Sequence, residues 1–491
     1  MSFTASLDQI VAENANILLG SRPGWKRVRL KEVASILNGF PFPSANFTKN
    51  EGAPLLRIRD IVPGRTQTFY EGDYDPTYLV QPGELVVGMD GDFNCALWAG
   101  PRALLNQRVC KITPDESRYS KRFLLHVLPG YLAAINASTP SLTVKHLSSR
   151  TVAEIPLPCP PLSEQVEIAD KLDEQLTRLD AGVAALKRLQ ANLKRYRAAV
   201  LKAACEGRLV PTEAEVARQE GRSYEPASAL LDRILADQEV ERAALVGQSP
   251  KKRRYQRPSA PQPGSQELPE GWIWTGIDQL AAGAPNAIKA GPFGSALKKS
   301  SYVPSGFKIY GQEQVIRGDA TFGDYYISKG LYQDLRSYAV VPGDILLSLV
   351  GTAGRVLVLP DGAEPGIINP RLIKLTLHRT GVDRRFIAMQ IKSPTTRVFF
   401  RGSAHGQTMD VINLSMLRQL PIALPPVAEQ RRVVAEVERR LSIADELEHI
   451  VTANLHRAMR LRQSVLRAAF SGSLAPNAAT AGGKPAGEEG G

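Results

Sequence analysis

Two short polar motifs occupy corresponding places in the two halves of this chain. Asn106-Gln107-Arg108 lies in the first half and Asn369-Pro370-Arg371 lies in the second. Carboxamide and guanidinium groups offer paired hydrogen-bond donors and acceptors, and this geometry matches the edges of adenine and guanine. The motifs therefore indicate base recognition as one chemistry of the chain. Because the asparagine and the arginine recur in both halves, a framework role or contact with phosphate groups is favoured for these two residues over sequence reading.

Several spacings that catalytic sites require are missing. Residues 291–300 contain glycines and lysines, but not with the spacing of a phosphate-binding loop. No Asp or Glu is followed two positions later by Lys, which disfavours a nuclease of the PD-(D/E)xK kind. Residues 369–372 lack the second proline and the aromatic residue of amino-methyltransferase motifs. The histidines show no metal-binding spacing. We therefore expect neither catalytic residues nor a metal site.

Length, charge and cysteine usage set further limits. The chain has 491 residues, which is enough for more than one domain. Its formal net charge of +12 points to an anionic partner, most simply nucleic acid or a membrane surface. The four cysteines are scattered without a C-x-x-C pair, which suits a reducing compartment. No signal peptide and no apolar run of membrane-spanning length is visible. We predict a cytoplasmic protein with no membrane partner.

A duplicated segment must position these residues. Residues 156–211 and 421–476 align without a gap. Each copy starts with a proline-rich entry and a Glu-Gln pair, which is Glu164-Gln165 in the first copy and Glu429-Gln430 in the second. Apolar residues then recur in alternating steps of three and four. This spacing predicts a long helix with a coiled-coil seam.

Each predicted helix is too long for one globular core. A helix over residues 163–206 would measure about 65 Å at ~1.5 Å per residue. It needs a partner along its length, and the second copy is the obvious one. We predict that the two helices pack antiparallel as a coiled coil. The alternative is a pair of ordinary amphipathic helices inside one domain.

A β-rich region precedes each long helix. Short apolar runs broken by Gly and Pro are typical of strands joined by turns, with one short helix predicted at 121–128. Gly24-Trp25 corresponds to Gly271-Trp272, and residues 78–85 correspond to 338–345. The sequences between these landmarks differ greatly. We therefore expect a shared framework with different surface loops, which suits recognition of two related but distinct targets.

These patterns predict an α+β fold in which two β-rich globular domains are joined by two long helices packed as an antiparallel coiled coil, with a pseudo-two-fold internal repeat. Between the halves we expect a charged helix and a flexible Pro-rich linker, whose basic run at 251–254 could contact phosphate or be solvated. The predicted boundaries are 1–155 for the first domain, 156–211 for the first long helix, 212–267 for the charged helix and linker, 268–420 for the second domain, 421–476 for the second long helix and 477–491 for a disordered tail.

The duplicated segments resemble a known family. The P-L-P-P-L-x-E-Q-like entry, the long helix and the closing A-A-x-x-G-x-L are similar to those of the specificity (S) subunit of Type I restriction–modification enzymes. The Gly-Trp opening and the Y-x-V-x-P-G-(D/E) segment of each domain fit the same family. The resemblance implies that each β-rich domain is a target-recognition domain, that the helices space the domains and dock partner subunits, and that the subunit is not itself catalytic.

The resemblance also implies partners and cofactors. Subunits of this family bind double-stranded DNA and two methyltransferase (M) subunits, which carry S-adenosylmethionine and methylate adenine at N6. Two restriction (R) subunits, which use ATP and Mg, complete an ATP-dependent nuclease–translocase. The family's T-Q-K-x-[IL]-like segment matches residues 143–147 and 408–412. Both copies lack the glutamine, and Asp410 replaces the lysine of the second copy, which departs from the family pattern.

Base contacts are expected from Arg, Lys, Asn and Gln side chains in loops. For each of them the alternative is a solvated surface charge or a framework hydrogen bond. The DNA-binding candidates are Arg57, Arg59, Asn94, Asn106, Gln107, Arg108, Lys145, Lys298, Lys299, Gln312, Gln314, Arg317, Arg355, Arg371, Arg401 and Gln407. The candidates for partner docking on the long helices are Glu164, Gln165, Leu176, Glu429, Gln430 and Leu441.

Two other functions stay open at this point. One is a free-standing enzyme that methylates or cuts DNA, and such an enzyme would turn over DNA and cofactor without a partner. The other is a coiled-coil scaffold that binds only proteins, and such a scaffold would show no salt-sensitive DNA binding.

Overall fold

The chain folds into two compact units. Unit 1 is formed by two separate stretches of the chain, and unit 2 is formed by one continuous stretch. A computed structural model describes residues 6–13, 19, 22, 24–138, 145–246, 258, 267–293, 296–349, 354–403, 412–471 and 474. Unit 1 comprises Met1–Lys187 and Thr452–Gly491, and unit 2 comprises Arg188–Val451. Each unit thus combines one β-rich domain with parts of both long helices. The predicted basic run at 251–254 and the predicted tail at 477–491 lie outside the described residues.

The first β-rich domain and the helix that follows it contain eleven strands and six helices among the described residues. The strands are β1 (Lys26–Arg29), β2 (Ala34–Asn38), β3 (Phe47–Thr48), β4 (Ala53–Leu56), β5 (Phe69–Tyr70), β6 (Leu79–Val80), β7 (Leu85–Gly88), β8 (Cys95–Leu97), β9 (Ala103–Leu105), β10 (Val109–Pro114) and β11 (Pro156–Cys159). The helices are α1 (Leu7–Glu13), α2 (Leu30–Val33), α3 (Ile58–Ile61), α4 (Lys121–Ser138), α5 (Ser149–Ala153) and the long α6 (Leu162–Cys205).

The second half repeats this order after two further helices. The strands are β12 (Ile273–Gly276), β13 (Ile288–Ala290), β14 (Phe307–Tyr310), β15 (Tyr326–Ile327), β16 (Ala339–Val340), β17 (Ile345–Ser348), β18 (Val356–Val358), β19 (Gly366–Ile368), β20 (Leu372–Leu375) and β21 (Pro421–Leu424). The helices are α7 (Glu213–Glu220), α8 (Ala227–Val246), α9 (Ile277–Leu280), α10 (Gln312–Arg317), α11 (Lys329–Asp334), α12 (Arg384–Lys392), α13 (Pro394–Ser403), α14 (Leu414–Arg418) and the long α15 (Val427–Phe470).

The two domains share a strand topology, and the second sheet of unit 1 has one additional edge strand, β3. One sheet has the order β2-β10-β7-β8 in unit 1 and β13-β20-β17-β18 in unit 2. The second sheet has the order β3-β5-β4-β9-β6 in unit 1 and β15-β14-β19-β16 in unit 2. Each second sheet contains one parallel pair, β4 with β9 or β14 with β19. A two-stranded sheet, β1-β11 or β12-β21, joins the start of each domain to the strand before its long helix. The repeated topology confirms the predicted internal repeat.

The core of each domain extends onto the long helices. In unit 1, Leu85 of β7 lies in one buried cluster with Leu172 of α6 and Phe470 of α15. In unit 2, strand β17 shares a buried cluster with Val200 of α6 and Val433 of α15. Burying an apolar side chain of this size contributes about 1.5–3 kcal/mol. The long helices are therefore part of each domain's core.

Within each unit the two long helices run antiparallel. In unit 1, Lys171 Nζ donates to the Leu474 carbonyl at 2.8 Å, and Asp180 accepts from Arg462 Nη1 at 2.6 Å. The partner numbers fall as the α6 numbers rise. In unit 2, Arg197 of α6 pairs with Asp445 and Glu448 of α15. The Pro211 carbonyl, just after α6, accepts from Arg432 Nη2 near the start of α15 at 3.3 Å. Both units confirm the predicted antiparallel packing.

Helix α4 is longer than the helix predicted at 121–128. It spans Lys121–Ser138 and continues through Pro129. A proline removes one backbone donor and usually ends or kinks a helix. Here Val127 and Leu132 are both buried, so the apolar face on either side of Pro129 is held by the core. Tertiary packing therefore overrides the local signal.

The recurrent tryptophan and glutamate bond to each other in both units. The Trp25 indole Nε1–H donates to the Glu164 carboxylate at 3.2 Å, and the Trp272 indole donates to Glu429 at 2.9 Å. Tryptophan lies just before the first strand of its domain, and glutamate lies in the first turn of the following long helix. The bond thus ties the beginning of each domain to its end.

The recurrent glutamine adjacent to each glutamate ties a third segment to the same place. Gln165 Oε1 accepts from the Ser120 backbone N–H at 2.8 Å, and its Nε2 donates to the Pro160 carbonyl at 2.9 Å. Gln430 Oε1 accepts from the Asp383 N–H at 2.8 Å, and its Nε2 donates to the carbonyl of residue 425 at 3.0 Å. The Glu-Gln pair is therefore an intramolecular clamp in each unit.

These contacts correct part of the docking prediction. Gln165, Glu429 and Gln430 are completely buried, and Leu176 is 5% exposed in the unit 1 core. Such side chains have no surface to offer to a partner subunit. Glu164 and Leu441 are half-buried, and their docking role stays a prediction.

We predict that Trp272→Phe loosens the start of α15 more than Trp25→Phe loosens the start of α6. Both substitutions remove one indole donor. Glu429 is fully buried and would keep an unmet acceptor, at a cost of about 1–3 kcal/mol, whereas the Glu164 side chain is 19% exposed to water. Amide hydrogen exchange at 427–437 and 162–172 measures the difference. Equal acceleration of exchange in the two variants would contradict the assignment.

Candidate nucleic-acid interface

The recurrent asparagines lie at the carboxyl end of the parallel strand pair in each unit. In unit 1, Leu56 of β4 is in register with Leu105 of β9, so Arg57 and Asn106 follow side by side. In unit 2, β14 and β19 end in the same way, and Asn369 follows β19. We call these positions the strand-end edge: residues 57 and 106–108 in unit 1, and residues 311–312 and 369–371 in unit 2. The structure therefore brings the two recurrent motifs to equivalent places.

A glycine packs directly onto the asparagine backbone in both units. A Cβ atom on Gly39 would lie 2.0 Å from the Asn106 carbonyl oxygen, and one on Gly291 would lie 1.8 Å from the Asn369 carbonyl oxygen. No side chain fits at that distance, so glycine is required at both positions. The backbone of Asn106 and Asn369 is therefore part of the shared framework.

A basic cleft lies beside the strand-end edge of unit 1. Its volume is about 560 Å³, and it lies between α3 and the β3–β5 side of the sheet. Its only carboxylate among the described lining residues, Asp60, accepts from the Arg57 backbone N–H at 3.0 Å. Arg59 is exposed, and one of its Nη atoms lies 3.4 Å from Thr68 Oγ1. Four cations line this cleft: Lys49, Arg57, Arg59 and Arg65. Their excess over acidic groups suits contact with phosphate.

The equivalent cleft of unit 2 has different chemistry. Its volume is about 470 Å³, and it lies between α10 and the residue before β15. Tyr302 and Tyr325 have ring centroids 6.0 Å apart, and burial raises the pKa of the Tyr302 hydroxyl above its ordinary value. The other polar lining residues are Lys299, Gln312, Glu313, Gln314, Asn369 and Arg371. The cleft therefore offers aromatic faces and neutral carboxamides beside two cations and one carboxylate, where unit 1 offers four cations and one carboxylate.

The remaining unit 1 candidates fall into two environments. Gln107 and Arg108 are exposed at the strand-end edge, and Arg108 Nη1 lies 3.1 Å from Asp90. Lys145 Nζ donates to the Asn136 carbonyl at 2.6 Å, which holds it against the end of α4. The side-chain oxygen of Asn94 is buried with no partner among the described residues.

Most of the remaining unit 2 candidates are exposed. Lys298 and Arg355 are exposed, and Arg317 lies 4.0 Å from the centre of the Phe322 ring. Arg401 is exposed on α13 and is not among the residues that line the cleft. Gln407 lies outside the described residues.

Gln314 is a correction to the prediction. It is 1% exposed, its Oε1 accepts from the Gly311 N–H at 2.9 Å, and its Nε2 donates to the Phe322 carbonyl at 2.8 Å. Both ends of the carboxamide are engaged inside the domain. Gln314 therefore shapes the loop and has no surface for a base.

Sequence reasoning missed four cleft residues and one carboxylate. Lys49 and Arg65 carry the charge expected of phosphate contacts but lie away from the recurrent motifs. Tyr302 and Tyr325 were passed over because only Arg, Lys, Asn and Gln were considered. Asp90 carries a negative charge, which does not suit a DNA contact, and only the folded structure shows that it lies beside Arg108. For the tyrosines, a search for aromatic residues between basic ones would have found the signal.

Two features are absent from the part of the chain that the structure describes. No cluster of three or more His, Cys, Asp or Glu side chains that could hold a metal ion occurs in the part of the chain that the structure describes. In the same residues, no helix combines the length and the apolar character needed to cross a membrane.

Comparison with known proteins gives consistent results. The Type I restriction modification DNA specificity domain matches residues 23–194. A solved chain, from work on complex assembly and conformational transition of the type I R-M system, superimposes with a TM-score of 0.53 at 20% identity, over 92% of this chain and 99% of that chain. At this identity the likeness supports the fold alone, and the fold agrees with the predicted one.

Two curated relatives match over most of their length. The Type I restriction enzyme EcoDI specificity subunit of Escherichia coli is 24% identical, over 92% of this chain and 88% of that protein. The Type I restriction enzyme EcoBI specificity subunit of Escherichia coli is 33% identical, over 96% of this chain and 91% of that protein. Because this identity extends over both domains and both long helices, the chain belongs to the family of Type I restriction enzyme specificity subunits.

Proposed function

We propose that this chain recognises DNA for a Type I restriction–modification complex, and that each unit contacts one half of an asymmetric, bipartite site. One observation carries this proposal. The shared strand topology presents equivalent clefts in the two units. The unit 1 cleft is lined by four cations and one carboxylate, whereas the unit 2 cleft combines two tyrosines and neutral carboxamides with two cations and one carboxylate. A shared framework with different linings suits two half-sites of different sequence.

Phosphate and base contacts divide between these positions. The Lys49, Arg57, Arg59 and Arg65 cluster would contact the DNA backbone, which positions the protein without reading sequence. The side chains of the strand-end edge, Arg108 and Arg371 among them, would contact base edges. Contacts made from one face of DNA are separated by about one helical turn, ~34–36 Å. The long helices of 44 residues each would set a spacing of this order, with an unread gap between the half-sites.

An exposed apolar stripe supports docking of a partner helix. Ile443, Leu447 and Ile450 of α15 are 47%, 40% and 47% exposed, and their spacing places them on one face of the helix. Ala444 and Val451, on another face, are buried. A water-facing apolar stripe on a helix is typical of a groove-binding or helix-binding surface. We propose that an M subunit covers this stripe.

The chain would act as the non-catalytic part of a larger complex. Two M subunits would carry S-adenosylmethionine and methylate adenine, and two R subunits would add ATP- and Mg-dependent cleavage. The four cysteines are free thiols, which suits a reducing compartment, and we propose a cytoplasmic location. The clefts described above offer no argument for an independent methyltransferase or nuclease, or for a scaffold that binds only proteins.

A genome-wide map of N6-methyladenine in cells with and without this gene tests the proposal. Loss of one gapped, asymmetric methylation motif would support it and give the recognised sequence. If the map does not change, co-expression of this chain with candidate M subunits in a methylation-free host decides the matter. Failure to create any methylated motif there would overturn the proposal.

We predict that Lys49→Ala with Arg65→Ala weakens binding of the M complex to all duplex DNA. Each removed phosphate contact should reduce the slope of log affinity against log salt by about one, so the double variant should lose about two. Titration of binding at several salt concentrations measures the slope. Lys26→Ala with Lys31→Ala removes the same charge from exposed positions near α2 and should leave the slope unchanged. A wild-type slope in the cleft variant would exclude phosphate contact there.

We predict that Ile443→Glu with Leu447→Glu prevents copurification of the M subunit, because each carboxylate would be desolvated at the interface. His449→Glu is the matched control, since His449 is exposed on the same helix about a third of a turn away from the stripe. Circular dichroism checks that α15 stays helical in both. Retention of the M subunit by the double variant would place the docking surface elsewhere.

A further inference from the structure

The loop after β7 in unit 1 has an unusual backbone. Phe93 adopts a φ of +49°, and it is the one non-glycine residue with positive φ among those described. It is 2% exposed, so the core holds it in this conformation. The neighbouring Asn94 has the buried side-chain oxygen without a described partner. Strain of this kind concentrates at functional sites.

Asp90 of this loop holds two exposed side chains at the strand-end edge. Its Oδ2 lies 3.1 Å from Arg108 Nη1, and its Oδ1 lies 2.6 Å from His146 Nδ1. The Asp90 side chain is 18% exposed, while those of Arg108 and His146 are 53% and 45% exposed. The acceptor is thus mostly buried, while the guanidinium and imidazole side chains that it holds are exposed.

The backbone around Asp90 is repeated in unit 2. The Met89 N–H donates to the Arg108 carbonyl at 2.9 Å, and the Leu349 N–H donates to the Arg371 carbonyl at 3.0 Å. Arg108 and Arg371 therefore occupy equivalent positions. The residue after Met89 is Asp90, whereas the residue after Leu349 is Val350. The carboxylate is therefore specific to unit 1.

The shared arginine has a different partner in unit 2. Arg371 Nη1 lies 3.4 Å from Gln312 Oε1, and Gln312 is on α10. The acceptor thus approaches from another chain segment and carries no charge. An arginine that contacts guanine through two parallel donors needs a fixed guanidinium plane. The residue that fixes this plane therefore decides which base edge the arginine meets.

We infer that Asp90 is a positioning residue that determines specificity in unit 1: it orients Arg108 and His146 toward the base edges of one half-site. The inference rests on the proposed function, because it requires that unit 1 contacts one half of a DNA site. It goes beyond that function by assigning sequence preference to a carboxylate that need not touch DNA. It also explains how the same arginine can serve two different half-sites.

Selection from a randomised duplex pool tests the assignment. The full chain, in complex with its co-expressed M subunits, binds a pool randomised over the whole site, and the bound duplexes are sequenced. Asp90→Asn should lose base preference at one or two positions of one half-site, and its affinity for the wild-type site should fall about fivefold to 100-fold. The other half-site should keep its sequence. Arg108→Lys retains the charge but lacks the planar fork, and it should lose preference at overlapping positions.

Asp115→Asn is the matched control. It removes the same charge from an exposed turn at the other end of β10, and it should select the wild-type sequence. Wild-type sequences at both half-sites in Asp90→Asn would overturn the inference while leaving the proposed function intact. So would an equal loss of affinity for every duplex, which indicates a structural role only. If the wild-type complex selects no sequence, the proposed function fails and this inference fails with it.

Discussion

The hydrogen bond from a tryptophan indole to a glutamate at the start of a long helix is the constraint on which each domain depends. A buried carboxylate is costly unless it is hydrogen-bonded. In unit 2, burial raises the pKa of Glu429 above its ordinary value, and the bonds from the Glu213 backbone N–H and the Trp272 indole act in the opposite direction. These bonds therefore stabilise the buried Glu429 charge only while Trp272, the start of α15 and the start of α7 stay packed together. Loss of any one segment would expose the other two.

The two units meet this constraint with different surroundings. In unit 1 the Glu164 carboxylate also pairs with Arg22 at 3.0 Å. Because the Glu164 side chain is 19% exposed, water also stabilises its charge. In unit 2, Glu213 bonds Arg222 at 2.7 Å and Arg432 at 2.5 Å. Although burial acts to raise the pKa of Glu213, the two guanidinium groups lower it below its ordinary value. Removal of one partner from a buried ion group of this kind is strongly destabilising. The start of α15 is therefore held by the Glu213–Arg432 ion pair in addition to the bond from Trp272 to Glu429.

The sequence predicted the features that depend on period and repetition. The first long helix was expected at 163–206 and spans Leu162–Cys205, because heptad spacing needs no knowledge of the partner. The sequence could not show that the Glu-Gln pair faces its own domain, since Ser120 and Asp383 lie far away along the chain. Gln314 was misassigned for the same reason: its acceptor and donor partners become visible only when the loop closes. Pairings between distant segments decide burial, and burial separates framework residues from surface residues.

The strand-end edge shows why such a framework can carry two specificities. Its geometry depends on backbone groups, such as the Met89 N–H to the Arg108 carbonyl and the Leu349 N–H to the Arg371 carbonyl. Every residue except proline supplies these groups, so the side chains at the edge are free to differ. The residue after Met89 is Asp90 and the residue after Leu349 is Val350. Arg108 pairs with Asp90, whereas Arg371 bonds Gln312, although the strand pairing is shared. Specificity can therefore diverge between the units at single positions while the parallel strand pair, its packed glycine and the clamp on the long helix stay the same.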